Sequence, residues 1–275
     1  MTARAPAKVN LLLSSGPRRD DGYHELLTVF QALSLADDVT ATPAPEWGVS
    51  VRAAAHPAAG GAGAAGELDV SGVPLDEGNL ALRAALLLAR ETGAGSPVHL
   101  SIRKGIPVAG GMAGGSADAA AALVACDALW HTGLGLDGLS ELAAGLGSDV
   151  PFAVHGRTAV GTGRGERLVP VLTTSTWAWV LVLAGHGLST PAVFAEFDAL
   201  AAAGALPPEG DPAERLRAVE AALRAGDPQA LGAALSNDLQ AAACSLAPAP
   251  AGPRAAGRAP GAAGAVVSGS GPTVA

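Results

Sequence analysis

A glycine-rich loop between a strand and a buried helix is the feature that most constrains how this chain can fold. Residues 105–115 contain five glycines, which permit positive φ angles and a close approach of the backbone to a ligand. The alternating stretch from Val98 to Arg103 predicts a strand before the loop, and the apolar stretch from Ser116 to Trp130 predicts a buried helix after it. The loop N–H groups and the positive end of the helix dipole then face the same space, where the Ser116 hydroxyl can cap the helix or reach a phosphate. The loop alone is compatible with a phosphate cradle and equally with a plain turn that binds nothing.

Two common nucleotide-binding patterns are absent from this loop. No lysine precedes Ser116, so the loop is not a P-loop of the GxxxxGK[ST] type. The glycine spacing differs from the dinucleotide-binding fingerprint, and Pro107 interrupts the approach to it.

Composition and charge exclude several classes of function. Lys and Arg total 17 and Asp and Glu total 25, giving a net charge of −8, which lacks the basic footprint of a nucleic-acid-binding protein. The sequence contains no apolar run long enough for a membrane span, and its first residues do not resemble a signal peptide. Cys126 and Cys244 stand apart in apolar segments, which favours reduced buried thiols. We therefore predict a cytoplasmic protein with no nucleic-acid or membrane partner.

Hydrophobic periodicity predicts an α+β chain. Asn79 is a predicted N-cap for a helix that Gly93 ends, and Asp137 is a predicted cap for a second helix that ends at Gly147. The remaining predicted elements are strands at 7–13, 178–184 and 265–267 and helices near 213–225 and 228–243.

Two stretches lack such a pattern. Residues 53–66 are rich in Ala and Gly and predict a mobile surface loop. Residues 247–264 contain Ala, Pro, Gly and Arg without a helical period, and a strand and a glycine turn then precede the last residue, Ala275. This pattern predicts a C-terminal part that is truncated or altered by a shifted reading frame.

The glycine loop resembles the nucleotide-binding motif of the GHMP kinases. The matching residues are Pro107, Gly111, Gly114, Gly115, Ser116, Asp118, Ala119 and Ala120. Further segments match, in order, the branch of this family that phosphorylates 4-diphosphocytidyl-2-C-methyl-D-erythritol. They are Pro6 to Leu11, Asp20 to Leu26, Leu146 to Phe152, Asn237 to Leu239 and Ser268 to Thr273. The resemblance runs from residue 5 to residue 245 and resumes at 265.

The resemblance implies a two-lobed GHMP kinase fold. Residues 1–160 would form a ribosomal-protein-S5-like domain that binds ATP, and residues 161–275 an incomplete ferredoxin-like domain on the substrate side. It also implies that the Ser268–Gly271 turn closes beside the phosphates, that ATP and Mg²⁺ are used, and that the partner is a small molecule linked to cytidine diphosphate. A monomer or weak homodimer is expected.

Three residues of the loop depart from the pattern that is more frequent in the family. Met112 replaces a leucine, Ala113 a glycine and Ala117 a serine. Alanine at 113 is acceptable only where the backbone does not need a positive φ. The resemblance nevertheless implies that the whole segment binds ATP: Pro107, Val108, Ala109, Gly110, Gly111, Met112, Ala113, Gly114, Gly115, Ser116 and Ala117.

Lys8 and Asp149 are the predicted catalytic residues. From the sequence alone, Asp149 could cap the helix that follows it, and Lys8 could extend from its strand to the surface. The resemblance implies instead that Asp149 accepts the proton of the attacking hydroxyl while Lys8 pairs with it and with that hydroxyl. Asn10 lies on the same strand face as Lys8 and would orient the substrate.

The resemblance also implies a cytidine pocket. Tyr23 and Phe194 would be its aromatic walls, His24 would bond the edge of the base, and Thr190 and Pro191 would complete it. A structural role in the core is the alternative for each aromatic residue.

Paired carboxylates at Asp20–Asp21 and Asp37–Asp38 predict solvated turns rather than a metal site, and no residue is predicted as a metal ligand. Two other functions stay open on the sequence. One is a GHMP kinase for a different alcohol such as homoserine, and the other is an inactive nucleotide-binding module.

Overall fold

The computed structural model describes residues 1–54, 68–184, 187–207, 210–247 and 261–275. The predictions for 53–66 and 247–264 fall largely outside these residues. Within the described ranges the chain contains seven strands and eight helices, as the α+β prediction required. No helix in this part of the chain is long and apolar enough to cross a membrane.

The strands include two long ones near the N-terminus and five shorter ones. Their bounds are β1 Thr2–Arg18, β2 His24–Pro43, β3 Gly48–Ala53, β4 Val98–Lys104, β5 Thr158–Gly163, β6 Arg167–Pro170 and β7 Ser236–Asn237. The helices are α1 Leu80–Thr92, α2 Gly114–Trp130, α3 Gly135–Ala144, α4 Val150–His155, α5 Thr190–Ala202, α6 Pro212–Ala225, α7 Pro228–Ala234 and α8 Gln240–Leu246.

The chain divides into two compact units that interleave along the sequence. The first unit contains Met1–Ala7, Ala32–Val108 and Ala113–Gly156. The second contains Lys8–Gln31, Ala109–Met112 and Arg157–Ala275. Strands β1 and β2 therefore contribute residues to both units. The boundary at residue 160 that the resemblance implied stays a prediction.

The first unit packs α1, α3 and α4 around α2. Strand β4 pairs in parallel with β3 and antiparallel with residues 38–43 of β2. The buried residues of helix α2 are mainly alanines, which lets neighbouring helices approach closely on several sides. Asn79 caps α1 by accepting the backbone N–H groups of Ala81 and Leu82, and Gly93 ends it with a φ of 65°. The prediction for α1 is confirmed.

The second unit is built on the remaining parts of β1 and β2. Residues 26–31 of β2 pair antiparallel with β5, which pairs with β6, and β1 pairs in parallel with β7. Helices α5 and α8 close an apolar core against the C-terminal segment. Its buried members are Leu13, Val193, Phe197, Leu239, Ala242, Ala243, Val267 and Val274.

Several predicted elements are wrong in detail. Asp137 lies inside the first turn of α3 and does not cap it, because the helix begins at Gly135. Residues 228–243 form two helices separated by β7 rather than one. Residues 178–184 and 265–267 do not form strands, although Val182 and Val267 each make an isolated bridge to Val274.

Candidate active site

The glycine loop leads directly into the buried helix, as predicted, but the helix starts earlier. Helix α2 begins at Gly114, so Ser116 is its third residue and does not cap it. The residue before the helix, Ala113, makes no side-chain capping bond. Since a helix cannot satisfy the N–H groups of its own first turn, those of Gly114 and Gly115 are suited to an anion. Gly114 allows the helix start to lie close to the strand below it, since an added Cβ would lie 3.2 Å from side-chain atoms of Ile106 and Lys104.

Left-handed backbone recurs through this loop. The φ angles of Ala109, Gly111 and Ala113 are 54°, 74° and 60°. The condition under which alanine would suit position 113 is therefore not met, because the backbone there does adopt a positive φ. A non-glycine residue in this region is strained by about 1 kcal/mol, and such strain persists where the surroundings fix the conformation.

The C-terminal glycine turn packs against the loop within the second unit. A Cβ on Gly111 would lie 2.3 Å from the carbonyl oxygen of Ser268 and 2.8 Å from that of Gly271. The Ser268 hydroxyl donates to the carbonyl oxygen of Gly111 at 3.1 Å. Asn237 holds the turn by donating from Nδ2 to the carbonyl oxygens of Val267 and Gly269. Only a glycine at 111 permits this approach.

Lys8 is buried in a chain of hydrogen bonds, which excludes the alternative of a surface lysine. Its side chain donates from Nζ to Oδ1 of Asn10 at 2.6 Å, so the two residues share a strand face as predicted. Asn10 donates in turn to the Thr28 hydroxyl, which donates to the carbonyl oxygen of Leu12. A Cβ on Gly269 would lie 2.8 Å from Nζ of Lys8, so the C-terminal turn covers the ammonium.

Asp149 occupies the N-cap position of α4 without capping it. The helix runs from Val150 to His155 with Pro151 in its first turn, and the Asp149 side chain accepts no capping bond. The structural role considered from the sequence is therefore not the one it has. Neighbouring Val150 and Phe152 are buried, which fixes the position of the Asp149 backbone.

The predicted pocket residues of the second unit are partly brought together. The rings of His24 and Phe194 stack with centroids 4.7 Å apart, and Phe197 meets His24 edge-on at 6.0 Å. Tyr23 is 54% exposed and its ring lies 5.0 Å from the Arg164 guanidinium. Of the three predicted pocket residues, His24 and Phe194 are in contact, whereas the ring of Tyr23 contacts Arg164.

Thr190 and Pro191 open helix α5. The Thr190 hydroxyl lies 2.9 Å from that of Ser270, which belongs to the C-terminal glycine turn. Pro191 occupies the first turn of the helix, where its missing N–H is no loss. The helix thus presents a hydroxyl that is tied to the glycine turn.

Asp198 is a residue that sequence reasoning missed. Its Oδ1 lies 2.8 Å from Nε2 of His24, and the His24 side chain is almost fully buried. The four-residue spacing from Phe194 to Asp198 puts both on one face of α5, and this spacing could have indicated Asp198 from the sequence.

The paired carboxylates Asp37 and Asp38 differ from the prediction, because both lie in strand β2 and not in a turn. Asp37 is fully buried in β2 rather than solvated in a turn, and it forms an ion pair with Lys104, which also contacts Asp118. Asp38 lies nearer the surface, where hydrogen bonds from Arg4, the larger effect, and from Arg103 lower the pKa of its carboxyl. The prediction failed for Asp37 because its partner is 67 residues away in sequence.

The side chains of the described residues would suit Mg²⁺ only if the ion is bound together with phosphate groups. In the part of the chain that the structure describes, no group of three or more His, Cys, Asp or Glu side chains could hold a metal. Mg²⁺ keeps several waters and is commonly bound through substrate phosphates with one or two carboxylates.

Comparisons with known proteins agree with this arrangement. The family model of the GHMP kinases N terminal domain matches residues 79–157, which include the glycine loop, α2 and Asp149. A solved homoserine kinase from Cytophaga hutchinsonii has a TM-score of 0.68 at 17% identity, covering 99% of this chain and 84% of its own. That likeness establishes the GHMP kinase fold.

Relatives of higher sequence identity indicate which branch of the GHMP kinases the chain belongs to. The 4-diphosphocytidyl-2-C-methyl-D-erythritol kinase of Kineococcus radiotolerans is 66% identical, covering 100% of this chain and 80% of its own length. That of Nocardia farcinica is 56% identical over 99% of this chain and 83% of its own. A crystal structure of 4-(cytidine 5'-diphospho)-2C-methyl-D-erythritol kinase has 32% identity and a TM-score of 0.68, covering 100% of this chain and 88% of its own. The chain belongs to the 4-diphosphocytidyl-2-C-methyl-D-erythritol kinase family of GHMP kinases, which are enzymes that use ATP.

Proposed function

We propose that this chain transfers the γ-phosphoryl group of ATP to the 2-hydroxyl of 4-diphosphocytidyl-2-C-methyl-D-erythritol. The products are ADP and the 2-phosphate, in a step of non-mevalonate isoprenoid synthesis. The observation that carries the proposal is the 66% identity, along the full chain, to a kinase named for that substrate. The cytoplasm stays the predicted compartment, and a monomer or weak homodimer the predicted state.

The segment from Pro107 to Ala117 is the proposed ATP site. The loop, with its positive φ angles, and the first turn of α2 would both offer backbone N–H groups to phosphate oxygens. Mg²⁺ would arrive with ATP and neutralise the phosphates, and no residue is assigned as its ligand.

The proposed chemistry rests on Asp149 and Lys8. Phosphoryl transfer has a loose transition state, so a base chiefly orients the attacking hydroxyl and accepts its proton. Asp149, at the N-terminal end of α4, would be that base. The buried ammonium of Lys8 would stabilise negative charge on the attacking oxygen, and Asn10 holds that ammonium in place.

The proposed cytidine site is formed by Tyr23, His24 and Phe194, with Thr190 and Pro191 beside it. The exposed ring of Tyr23 offers a stacking face for a pyrimidine, whereas one face of Phe194 is covered by His24. If Asp198 accepts the N–H of Nε2, the other ring nitrogen of His24 is left as an acceptor for an amino group.

The test of the proposal is ADP release with Mg-ATP and each of two alcohols. We expect turnover with 4-diphosphocytidyl-2-C-methyl-D-erythritol, inhibition of that turnover by cytidine diphosphate, and none with homoserine. Turnover with homoserine would identify a different GHMP kinase. Binding of ATP without ADP release from either alcohol would identify an inactive nucleotide-binding module.

Replacing Asp198 by alanine should weaken binding of the cytidine substrate. Without its carboxylate partner the His24 ring loses its fixed orientation, so we expect KM for that substrate to rise about tenfold with kcat nearly unchanged. Glu196→Ala is the matched control, because Glu196 lies on the same helix but bonds the Ser245 hydroxyl at the surface. Equal KM values for the two variants would exclude a role for Asp198.

A further inference from the structure

A buried cluster of three charged side chains lies in the first unit, apart from the residues assigned above. Lys104 donates from Nζ to Oδ2 of Asp37 and, at 2.7 Å, to Oδ2 of Asp118. The other oxygen of Asp37 accepts the backbone N–H groups of Gly105 and Ile106 at 2.6 and 2.8 Å. All three side chains are at most 4% exposed.

The cluster joins three elements directly beneath the start of α2. Asp37 belongs to β2, Lys104 is the last residue of β4, and Asp118 is the fifth residue of α2. A Cβ on Gly114 would lie 3.2 Å from Nζ of Lys104, so the ammonium supports the first residue of the helix. The charges of the three groups therefore lie close to that helix end.

The hydrogen bonds are shared unequally between the two carboxyls. Asp37 accepts three, whereas Asp118 accepts one and its Oδ1 has no partner in the described structure. One ammonium cannot balance two buried carboxylates, and an unpaired buried charge is costly. Asp118, which accepts fewer hydrogen bonds, is therefore the group that keeps a proton.

The pKa of Asp118 agrees with this assignment. Burial raises it to about 7, with a further rise from the charge of Asp37, against the opposing effect of Lys104. These two are the charged groups that act on Asp118 within the described residues. Helices α1, α3 and α4, which also pack against α2, contribute none.

We propose that Asp118 is a positioning residue for ATP binding, a neutral acid that ties Lys104 beneath the first turn of α2 without adding negative charge behind the phosphate site. This inference rests on the proposed function, because it takes the start of α2 as the phosphate site. Ionisation of Asp118 places a negative charge in low dielectric close to that helix end, and it therefore weakens binding of the ATP phosphates.

The test is the affinity for Mg-ATP, measured by calorimetry from pH 6 to pH 9 in the wild type and in Asp118→Asn. Asparagine keeps the shape and stays neutral. Relative to the variant, we expect the wild-type Kd to rise about five- to tenfold between pH 6 and pH 8, while the variant keeps the tighter binding. Under turnover, the same difference should appear in KM for ATP and not in kcat.

Protonation of ATP also changes the measured Kd with pH, and a matched control variant corrects for this effect. Asp127→Asn lies on the same helix, where Asp127 bonds the Thr132 hydroxyl far from the cluster, and it should follow the wild-type profile. If Asp118→Asn follows that profile too, the inference is wrong while the proposed function stands. If the wild type binds no ATP at any pH, both are wrong.

Unfolding by urea gives a second readout that needs neither ATP nor turnover. An acid whose pKa is raised by folding holds its proton longer in the folded state, so the contribution of Asp118 to the free energy of unfolding falls as pH rises from about 4 to about 7. Asparagine does not titrate, so this contribution is absent from Asp118→Asn, and the plots of unfolding free energy against pH should differ in slope between the two proteins. An identical slope in both proteins contradicts a neutral Asp118.

Discussion

Replacing Asp149 by asparagine should lower kcat for ADP release by about a hundred- to ten-thousandfold. Asparagine preserves the size of the side chain but cannot accept the proton of the attacking hydroxyl. The substitution removes no helix cap, because the Asp149 side chain makes no capping bond to α4. The Kd for Mg-ATP should stay within about twofold, since phosphate binding is assigned to backbone groups of the loop and of α2.

The measurement is single-turnover ADP formation, with thermal unfolding of the same samples. Asp137→Asn is the control, because Asp137 also lies near the start of a helix and makes no capping bond. It should retain full activity. If Asp149→Asn retains kcat within about tenfold of the wild type, another group orients the hydroxyl and the assignment of Asp149 is wrong.

Replacing Gly111 by alanine should weaken ATP binding and destabilise the second unit. Two effects add at this position: a φ of 74°, and a Cβ that would lie 2.3 Å from the Ser268 carbonyl oxygen. The Cβ would also lie 2.8 Å from the carbonyl oxygen of Gly271, and backbone atoms such as these two oxygens cannot move aside cheaply. We expect a loss of about 3 kcal/mol in the free energy of unfolding, and a rise of about a hundredfold in the Kd for Mg-ATP.

Gly133→Ala separates the two effects. Gly133 has a φ of 71° with no atom within 4 Å of an added Cβ, so alanine there should cost about 1 kcal/mol and leave ATP binding unchanged. Urea unfolding and calorimetry of both variants make the comparison. Equal losses in the two variants would mean that the C-terminal turn yields to the new methyl group, and that the contact does not shape the loop.

Local signals gave the elements that could be predicted from the sequence. Asn79 and Gly93 bracket α1 because a side-chain cap and a left-handed glycine are short-range features. The glycine loop and α2 are readable for the same reason, although the cap-less start at Ala113 could not be anticipated. The strand predicted at 178–184 does not form, because apolar alternation needs a continuous neighbouring strand and the bridge from Val182 to Val274 is isolated.

Long-range pairing explains what the sequence could not show in the site. The ion pair of Asp37 with Lys104 and the bond of His24 to Asp198 join residues 67 and 174 positions apart. Adjacent carboxylates at Asp37 and Asp38 resemble a solvated turn, yet in an extended strand their side chains point to opposite faces. One is therefore buried and the other reaches arginines near the surface.

The interleaving of the two units has a consequence for how the chain is made. Leu26 leaves the ribosome long before Gly163, with which it pairs, and Leu12 long before Ser236. Strands β1 and β2 can pair with each other early, but their edges toward β7 and β5 must stay open while nearly all of the first unit is translated. Order of synthesis and order of assembly differ in this protein, and the nascent strands need protection from association with other chains during that interval.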